Sequence, residues 1–581
     1  MSRLRGRNRA LLIAGAVVLA VAGLVAWLAT SWLGTYRQAQ SFQADVSRLR
    51  TALSAQEWQV VADQVPTVLQ SARALEASTQ GLAWRLLEDV PMIGVSASAV
   101  GELSTTTANL LAAAQPLTPY AERIVHGDVR RADGSVDLAA VQEIGPVLAR
   151  LALVMEGEAA RLALIDASAL RPEISGPVVE LRQQLLDAAP SVVRAADIAA
   201  RVPHLLGADG ERTWLVLLQN PAESRGTGGF PGGYLRIFAR DGVLSVASVG
   251  KSGDLNALPI PTDGAPEDAR LLWGSLLSVW RTFNLSPDFP LAGSLAAAGM
   301  AARGEPVDGV IAVDPRTVAA IMTMTGPVTA EGQTISAENV ERFFTVDSYA
   351  LYPDMTRRAE VSIALVGAVM ESFVTGTWDP VTLADALLEP IAGGRVRVWS
   401  ADPAEEEWLV STPVGGSVPN TVGPVVAVAF NNAAGNKMDA FVSSGVDYRP
   451  GRCPTALVQR STLGVTLRND APVTLPDQGD YGRADDPLAP EGSTRMLVHV
   501  YAPVDATFMS ATLNGSPVDM YVGHERNRPV WWTSLTLNRG EEKELDLRFD
   551  EPDVPEVEPM VLPQGMVIDE KISVTPDASC A

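Results

Sequence analysis

Cysteine and histidine are scarce in this chain, and their scarcity removes several chemistries. The only cysteines are Cys453 and Cys580, and the only histidines are His126, His204, His499 and His524. There is no Cys-x-x-Cys, and no two histidines stand four apart. A zinc site of Cys/His spacing, a dithiol redox centre and c-type haem attachment therefore cannot be drawn. The absence of a Gly-x-Ser-x-Gly elbow removes the hydrolase arrangement built around that turn. Positive charge is also short: 45 basic against 68 acidic residues leave a net charge of −23. A body that acidic excludes broad binding of nucleic acid or of an anionic membrane surface, so any anion site must be a local exception. Lysine is rarer still, with Lys251, Lys437, Lys543 and Lys571 the only four.

What is present is apolar content, 47% of 581 residues, enough for several buried cores in about three or four domains. Ala10 to Leu33 is an uncharged run of 24 residues, long enough to cross about 30 Å of hydrocarbon. Arg3, Arg5, Arg7 and Arg9 precede it and Arg37 alone follows it closely, while Trp27 and Trp32 sit near its outer end. This asymmetry predicts a retained single-pass anchor in the cytoplasmic membrane, with the N-terminus cytoplasmic and the body extracytoplasmic. A cleaved signal peptide would have a shorter apolar core and a small-x-small site, which Ala-Trp-Leu-Ala-Thr-Ser supplies poorly. In an oxidising compartment the even cysteine count predicts one disulfide, Cys453–Cys580.

The hydrophobic period divides the body. From residue 35 to 207, apolar residues recur at helical spacing, as in Leu49, Leu53, Trp58, Val61, Val65 and Leu69. Pro91, Pro116, Pro146 and Pro172 are read as breaks between several helices of a membrane-proximal bundle. Residues 208–395 mix strand, hairpin and helix. Trp214 to Gln219 reads as a strand buried on both faces, Asp241-Gly242 as a hairpin turn, and Val310 to Val313 as a strand followed by a helix capped by Asp314. Residues 396–581 are β-rich, with strands recurring closely enough to suggest an Ig-like sandwich. The expected fold class is thus α+β multidomain: tip and transmembrane helix (1–34), helical region (35–207), mixed α/β domain (208–395) and β-sandwich region (396–581).

Chemistry concentrates in the stretch 220–233, read as a loop. Five glycines between Gly226 and Gly233 would let successive N–H groups form an anion-binding nest, and Asn220, Glu223, Arg225, Thr227, Gly228 and Gly229 are its candidate ligand-facing residues. The structural alternative is a tight connection in which Glu223 and Arg225 pair with each other. Gly250-Lys251-Ser252 imitates the end of a Walker loop but lacks its first glycine and its helix. What survives is Lys251 at the end of a strand, with Asp254 close behind. Asp354 to Glu360 opens a helix in which Arg357 is either a ligand group or a partner in local charge pairing. Asp477, Asp480, Asp485 and Asp486 lack calcium-loop spacing and read as a solvated acidic loop.

Val216-Leu-Leu-Gln-Asn-Pro-Ala-Glu-Ser-Arg-Gly-Thr-Gly-Gly-Phe230, Val307 to Pro315, Thr325-Gly-Pro-Val328 and Val498 to Pro503 resemble a bacterial envelope family known as domain of unknown function 4012. That resemblance spans nearly the whole chain and implies an anchored envelope protein without a known activity. A fainter one is to LytR–CpsA–Psr proteins, which transfer glycopolymers from polyprenyl pyrophosphate carriers to the cell wall. It implies that Arg225, Lys251 and Arg357 converge on pyrophosphate, with Glu223 or Asp254 acting as base or holding a divalent cation, the one cofactor implied. Lysine at 251 and glutamate at 360 depart from that family's arginines. Two readings follow: a non-catalytic envelope protein binding a lipid-linked glycan, a cell-wall polymer or partners, or a phosphotransferase on lipid-linked precursors.

Overall fold

The computed structural model describes residues 36–55, 57–81, 84, 88, 90, 94–125, 130–131, 134–376, 378, 380–452, 458–475 and 478–577. The anchor read at Ala10–Leu33 and both cysteines lie outside the described residues. The chain forms two compact units, one from residues 1–210 with 240–243 and 377–385, the other from 211–239, 244–376 and 386–581.

The first unit is helical. Its main helices are Tyr36–Ser54, Trp58–Thr79, Gly94–Ala114, Leu138–Ala163 and Pro172–Leu205. Each lays an apolar stripe into one core, through Leu49, Val68, Leu103, Leu111, Met155, Leu162, Leu181 and Leu185 among others. Glu158 is buried in that core and accepts from Thr106 Oγ1 and Asn109 Nδ2, both at 2.7 Å. Pro172 does begin a helix, where its missing N–H costs nothing. Pro146 corrects the expected break, because it lies inside Leu138–Ala163. Burial of Leu151, Ala152, Met155 and Leu162 along the same helix offsets the one hydrogen bond that proline removes. By length and composition Leu138–Ala163 is apolar enough to cross a membrane, yet here it supplies bundle core.

The second unit begins with a mixed five-stranded sheet of order β3-β2-β1-β4-β7. Its strands are β1 (Arg212–Arg225), β2 (Gly228–Arg240), β3 (Val243–Lys251), β4 (Gly309–Val313) and β7 (Val396–Ser400), while β5 (Val328–Ala330) and β6 (Gln333–Ile335) pair separately. The expected hairpin turn is present, with φ of 50° at Asp241 and 80° at Gly242, the primed turn that matches strand twist. Asp314 caps the helix Pro315–Thr325 through the Thr317 N–H at 2.8 Å. Because β7 runs antiparallel to β4, the central sheet continues past the boundary read at 395/396.

The β-rich part contributes two further sheets that bury one common core of Val428, Phe430, Tyr448, Leu463, Val498, Trp531, Leu547 and Phe549 with their neighbours. One has the order β13-β12-β16-β10-β9-β18, from β9 (Val442–Arg449), β10 (Val458–Asn469), β12 (Thr507–Leu513), β13 (Ser516–Pro517), β16 (Glu542–Pro552) and β18 (Lys571–Val574). The other has the order β14-β15-β11-β8-β17, from β8 (Val425–Asn432), β11 (Thr494–Tyr501), β14 (Tyr521–Glu525), β15 (Arg528–Leu537) and β17 (Met560–Leu562).

Polar groups join this part to the central sheet's helices. Glu525, almost wholly buried, accepts from Trp273 Nε1 at 3.0 Å, Ser286 Oγ at 2.8 Å and Tyr501 OH at 2.5 Å. Burial pushes its carboxyl up to about 7, the nearby Asp288 adding to the rise and the three donors opposing it. Between the ordinary glutamate value and about 7 the folded chain keeps a proton that the unfolded chain has released. The group's stabilisation is therefore complete in acid and is lost as pH rises through 7. The thermal midpoint of the wild type is expected to fall more steeply from pH 5 to pH 8 than that of Glu525→Gln, whose amide stays neutral. The difference should correspond to on the order of 3 kcal/mol. Equal slopes in the two proteins would place the pH dependence elsewhere.

Candidate functional site

The glycine-rich stretch is not a loop. β1 and β2 continue through it and pair up to Arg225↔Gly228, leaving only Gly226 and Thr227 in the turn. Gly226 and Gly229 are required by close approach. A Cβ on Gly226 would lie 2.2 Å from the Leu285 carbonyl oxygen, and one on Gly229 2.3 Å from the carbonyl carbon of Asn220. Gly228 has φ of +129°, which side chains rarely adopt. The expected nest is also spent internally. The Gly226 N–H donates to Asn431 Oδ1 at 2.9 Å, that of Thr227 to the Asn284 carbonyl at 3.4 Å, and that of Gly229 to Gln219 Oε1 at 3.4 Å.

The hairpin tip carries its charges inside the protein. Glu223 and Arg225 are 7% and 5% exposed, and Arg225 Nη2 donates to Glu223 Oε1 at 2.7 Å. Lys437 Nζ donates to the other oxygen, Glu223 Oε2. The remaining guanidinium donors reach the carbonyls of Ser224 at 2.8 Å, Arg281 at 3.2 Å and Asn432 at 3.3 Å. The Phe230 ring lies 5.6 Å from the Arg225 guanidinium and 5.2 Å from Lys437 Nζ, so both cations also meet a π face. Burial raises the Glu223 carboxyl, but Lys437 and Arg225 outweigh it and hold the group at about 2. A carboxylate so held is a poor general base near neutral pH. With a cation on each oxygen, Glu223 has no oxygen left for a divalent metal.

The other motif residues fix the tip to its surroundings. Ser224 donates its N–H and hydroxyl to Asp439 Oδ2, at 2.8 and 2.7 Å. Burial pushes Asp439 up to about 6, and these donors oppose the rise. Asn220 Nδ2 donates to the Phe344 carbonyl at 3.0 Å and to Tyr349 OH at 2.9 Å. Thr227 Oγ1 accepts from Gln219 Nε2 at 2.8 Å and Asn284 Nδ2 at 2.9 Å.

The two remaining cations have different partners from Arg225 and from each other. Lys251 is exposed at the end of β3, and its N–H donates to Asp254 Oδ2 at 3.4 Å across the turn Ser252–Leu255. Arg357 is exposed in the helix Met355–Thr375 and pairs with Glu331 at 2.9 Å and Glu360 at 3.3 Å. Its neighbour Arg358 is buried, pairs with Asp480 at 2.7 Å and lies 4.6 Å from the Tyr349 ring. Asp480 and Asp485 of the acidic stretch are thus ion-paired, Asp485 with Arg483 at 2.6 Å.

Residues far along the chain, absent from the candidates above, complete the site. Asn431 and Asn432 end β8, Lys437 and Asp439 follow it, and Gln564 Nε2 donates to the carbonyls of Arg225 and Phe430, both at 2.7 Å. Two signals pointed to them. Asn431-Asn432 directly extends the apolar run Val425–Phe430, and Lys437 is one of only four lysines.

The arrangement is a buried junction between the central sheet and the two-sheet part. Arg225→Ala is expected to destabilise the chain by about 3–5 kcal/mol, because it breaks a buried ion pair, leaves Glu223 with Lys437 alone and strips three carbonyls of their donor. The Glu223 contribution is present above the ordinary carboxylate range and fades as pH falls towards 2. Inorganic pyrophosphate is expected to leave the wild-type thermal midpoint unchanged. A rise that Arg225→Ala abolishes would instead assign an anion site to the tip.

Neither a curated protein nor a solved structure matches this chain. Residues 209–349, which contain the whole hairpin motif, match the model of a family described as protein of unknown function (DUF4012).

Proposed function

We propose that this is a single-pass membrane protein of the cell envelope whose body lies outside the cytoplasm and serves as a non-catalytic binding or scaffold protein. The observation that carries the non-catalytic reading is the engagement of Glu223 and Arg225. Both are buried and fully partnered within the protein. Phosphotransfer of the LytR–CpsA–Psr kind would need Arg225, Lys251 and Arg357 free to hold one pyrophosphate. Arg225 is instead spent on four acceptors, and Arg357 on two glutamates. In this reading the two packed C-terminal sheets are an Ig-like sandwich that presents surface to a cell-wall polymer or lipid-linked glycan. The bilayer is met through Ala10–Leu33, after its cluster of four arginines. Protease added to intact protoplasts is expected to digest the body. Protection until lysis would reverse the orientation.

The same reading includes the disulfide Cys453–Cys580. Gly451 forms a parallel bridge with Asp577, and the Arg452 N–H donates to the Asp577 carbonyl at 2.7 Å. These residues stand two before Cys453 and three before Cys580, so the backbone brings the flanks of both cysteines together. A bridge closing so long a loop can stabilise by at most about 4–5 kcal/mol. Thiol labelling of the denatured chain should detect no cysteine before reduction and two after it. Two labelled cysteines before reduction would refute the bridge.

A further inference from the structure

The outward face of the six-stranded sheet is hollowed where β18, β9, β10 and β16 lie side by side. The hollow is a trough of about 540 Å³, within the usual size of small-ligand sites. Two rows of residues cross it by register. One runs Lys571, Gly445, Thr466, Glu544, and the next Ser573, Asp447, Gly464, Asp546.

The two glycines form the floor, and nothing among the described residues demands them. Neither has a left-handed φ. A Cβ built on Gly464 would meet its nearest atom at 3.4 Å and one on Gly445 at 3.7 Å, which is ordinary contact. Thr462 and Thr466 flank Gly464 on the same face of β10, so β-branched side chains are accommodated there. Glycine inside a strand weakens it by about 0.5–1 kcal/mol. Retained at that cost without conformational or packing need, these glycines leave bare backbone open to something that approaches from outside.

The walls indicate what approaches. The side chains of Glu544, Asp546 and Lys571 have no hydrogen-bond or ion-pair partner among the described residues, and Thr466 adds a hydroxyl between them. Arg449 and Arg468 also line the trough but are paired, with Asp447 and with Asp470 and Glu542, so the two free carboxylates disfavour an anionic polymer, and a polar lining without an aromatic platform does not suit an apolar ligand. Hydroxyl groups that donate to carboxylates and accept from an ammonium complement this set. We propose that the trough binds a neutral, polyhydroxylated chain, an oligosaccharide lying across Gly445 and Gly464. This deepens the binding reading above, and it stands or falls apart from the membrane orientation that the protease experiment decides.

The test is an array of neutral oligosaccharides, with hexalysine as a cationic control, probed with the full-length chain in detergent. Wild-type protein is expected to be retained on one or more glycans and not on hexalysine. Gly464→Thr should lose at least tenfold in retention while its thermal midpoint holds or rises, and Asp546→Asn should weaken retention without moving the midpoint. The proposal is overturned by retention on no glycan, by variants retained as well as the wild type, or by retention on hexalysine alone. A lower midpoint in Gly464→Thr would also overturn it, since the glycine would then serve packing.

Discussion

Glu223 remains ionised in surroundings that would otherwise neutralise it, because one cation sits on each of its oxygens. Arg225 arrives from two residues along the same strand, and Lys437 from 214 residues away. Desolvating three charged groups is costly, and an apolar replacement of equal volume is often as stable. What the triad supplies is a position. Only one docking of β1 against the end of β8 and the segment after it satisfies the carboxylate, the guanidinium and the carbonyls together. Other placements strand a buried charge.

The groups around the triad extend the same constraint. Ser224 is read by Asp439, the Gly226 N–H by Asn431, and the Arg225 carbonyl by Gln564. Farther along the same junction, Glu525 gathers Trp273, Ser286 and Tyr501. Such buried polar groups are stabilising only when each is paired, so they act as a check on register. The stretch from Asn220 to Phe230 is accordingly a joint. Its glycines make room, its Glu and Arg neutralise one another, and its Asn, Ser and Thr tie the tip to three different neighbours.

Glycine serves two unlike purposes in this chain. At Gly226 and Gly229 backbone from another segment fills the space a side chain would take. At Gly445 and Gly464 a side chain would meet only ordinary contact, on the lining of the trough. The first kind is spent on internal closeness and leaves no room for a ligand. The second kind leaves a floor, and Glu544, Asp546 and Lys571 beside it have no side-chain partner among the described residues. The hairpin, where the residues with reactive side chains are concentrated, is closed, whereas the trough lies on an outer sheet face that carries no motif.

Local chemistry made much of the fold legible in the sequence. Helical spacing marked the bundle, the run from Trp214 to Gln219 marked a fully buried strand, and Asp241-Gly242 and Asp314 marked a turn and a cap that are present as read. The possible pairing of Glu223 with Arg225 was visible because the two are neighbours along the chain. The sequence could not reveal that residues 220–233 form a hairpin, because paired strands with bulges and glycine are compositionally indistinguishable from a loop. Nor could it give the second cation on Glu223, the burial of Arg225, or the separate partners of Lys251 and Arg357. The same holds for the diagonal meeting of Gly445 and Gly464. Each depends on residues brought together from distant parts of the chain, where only the register of the sheets decides which side chains share a face.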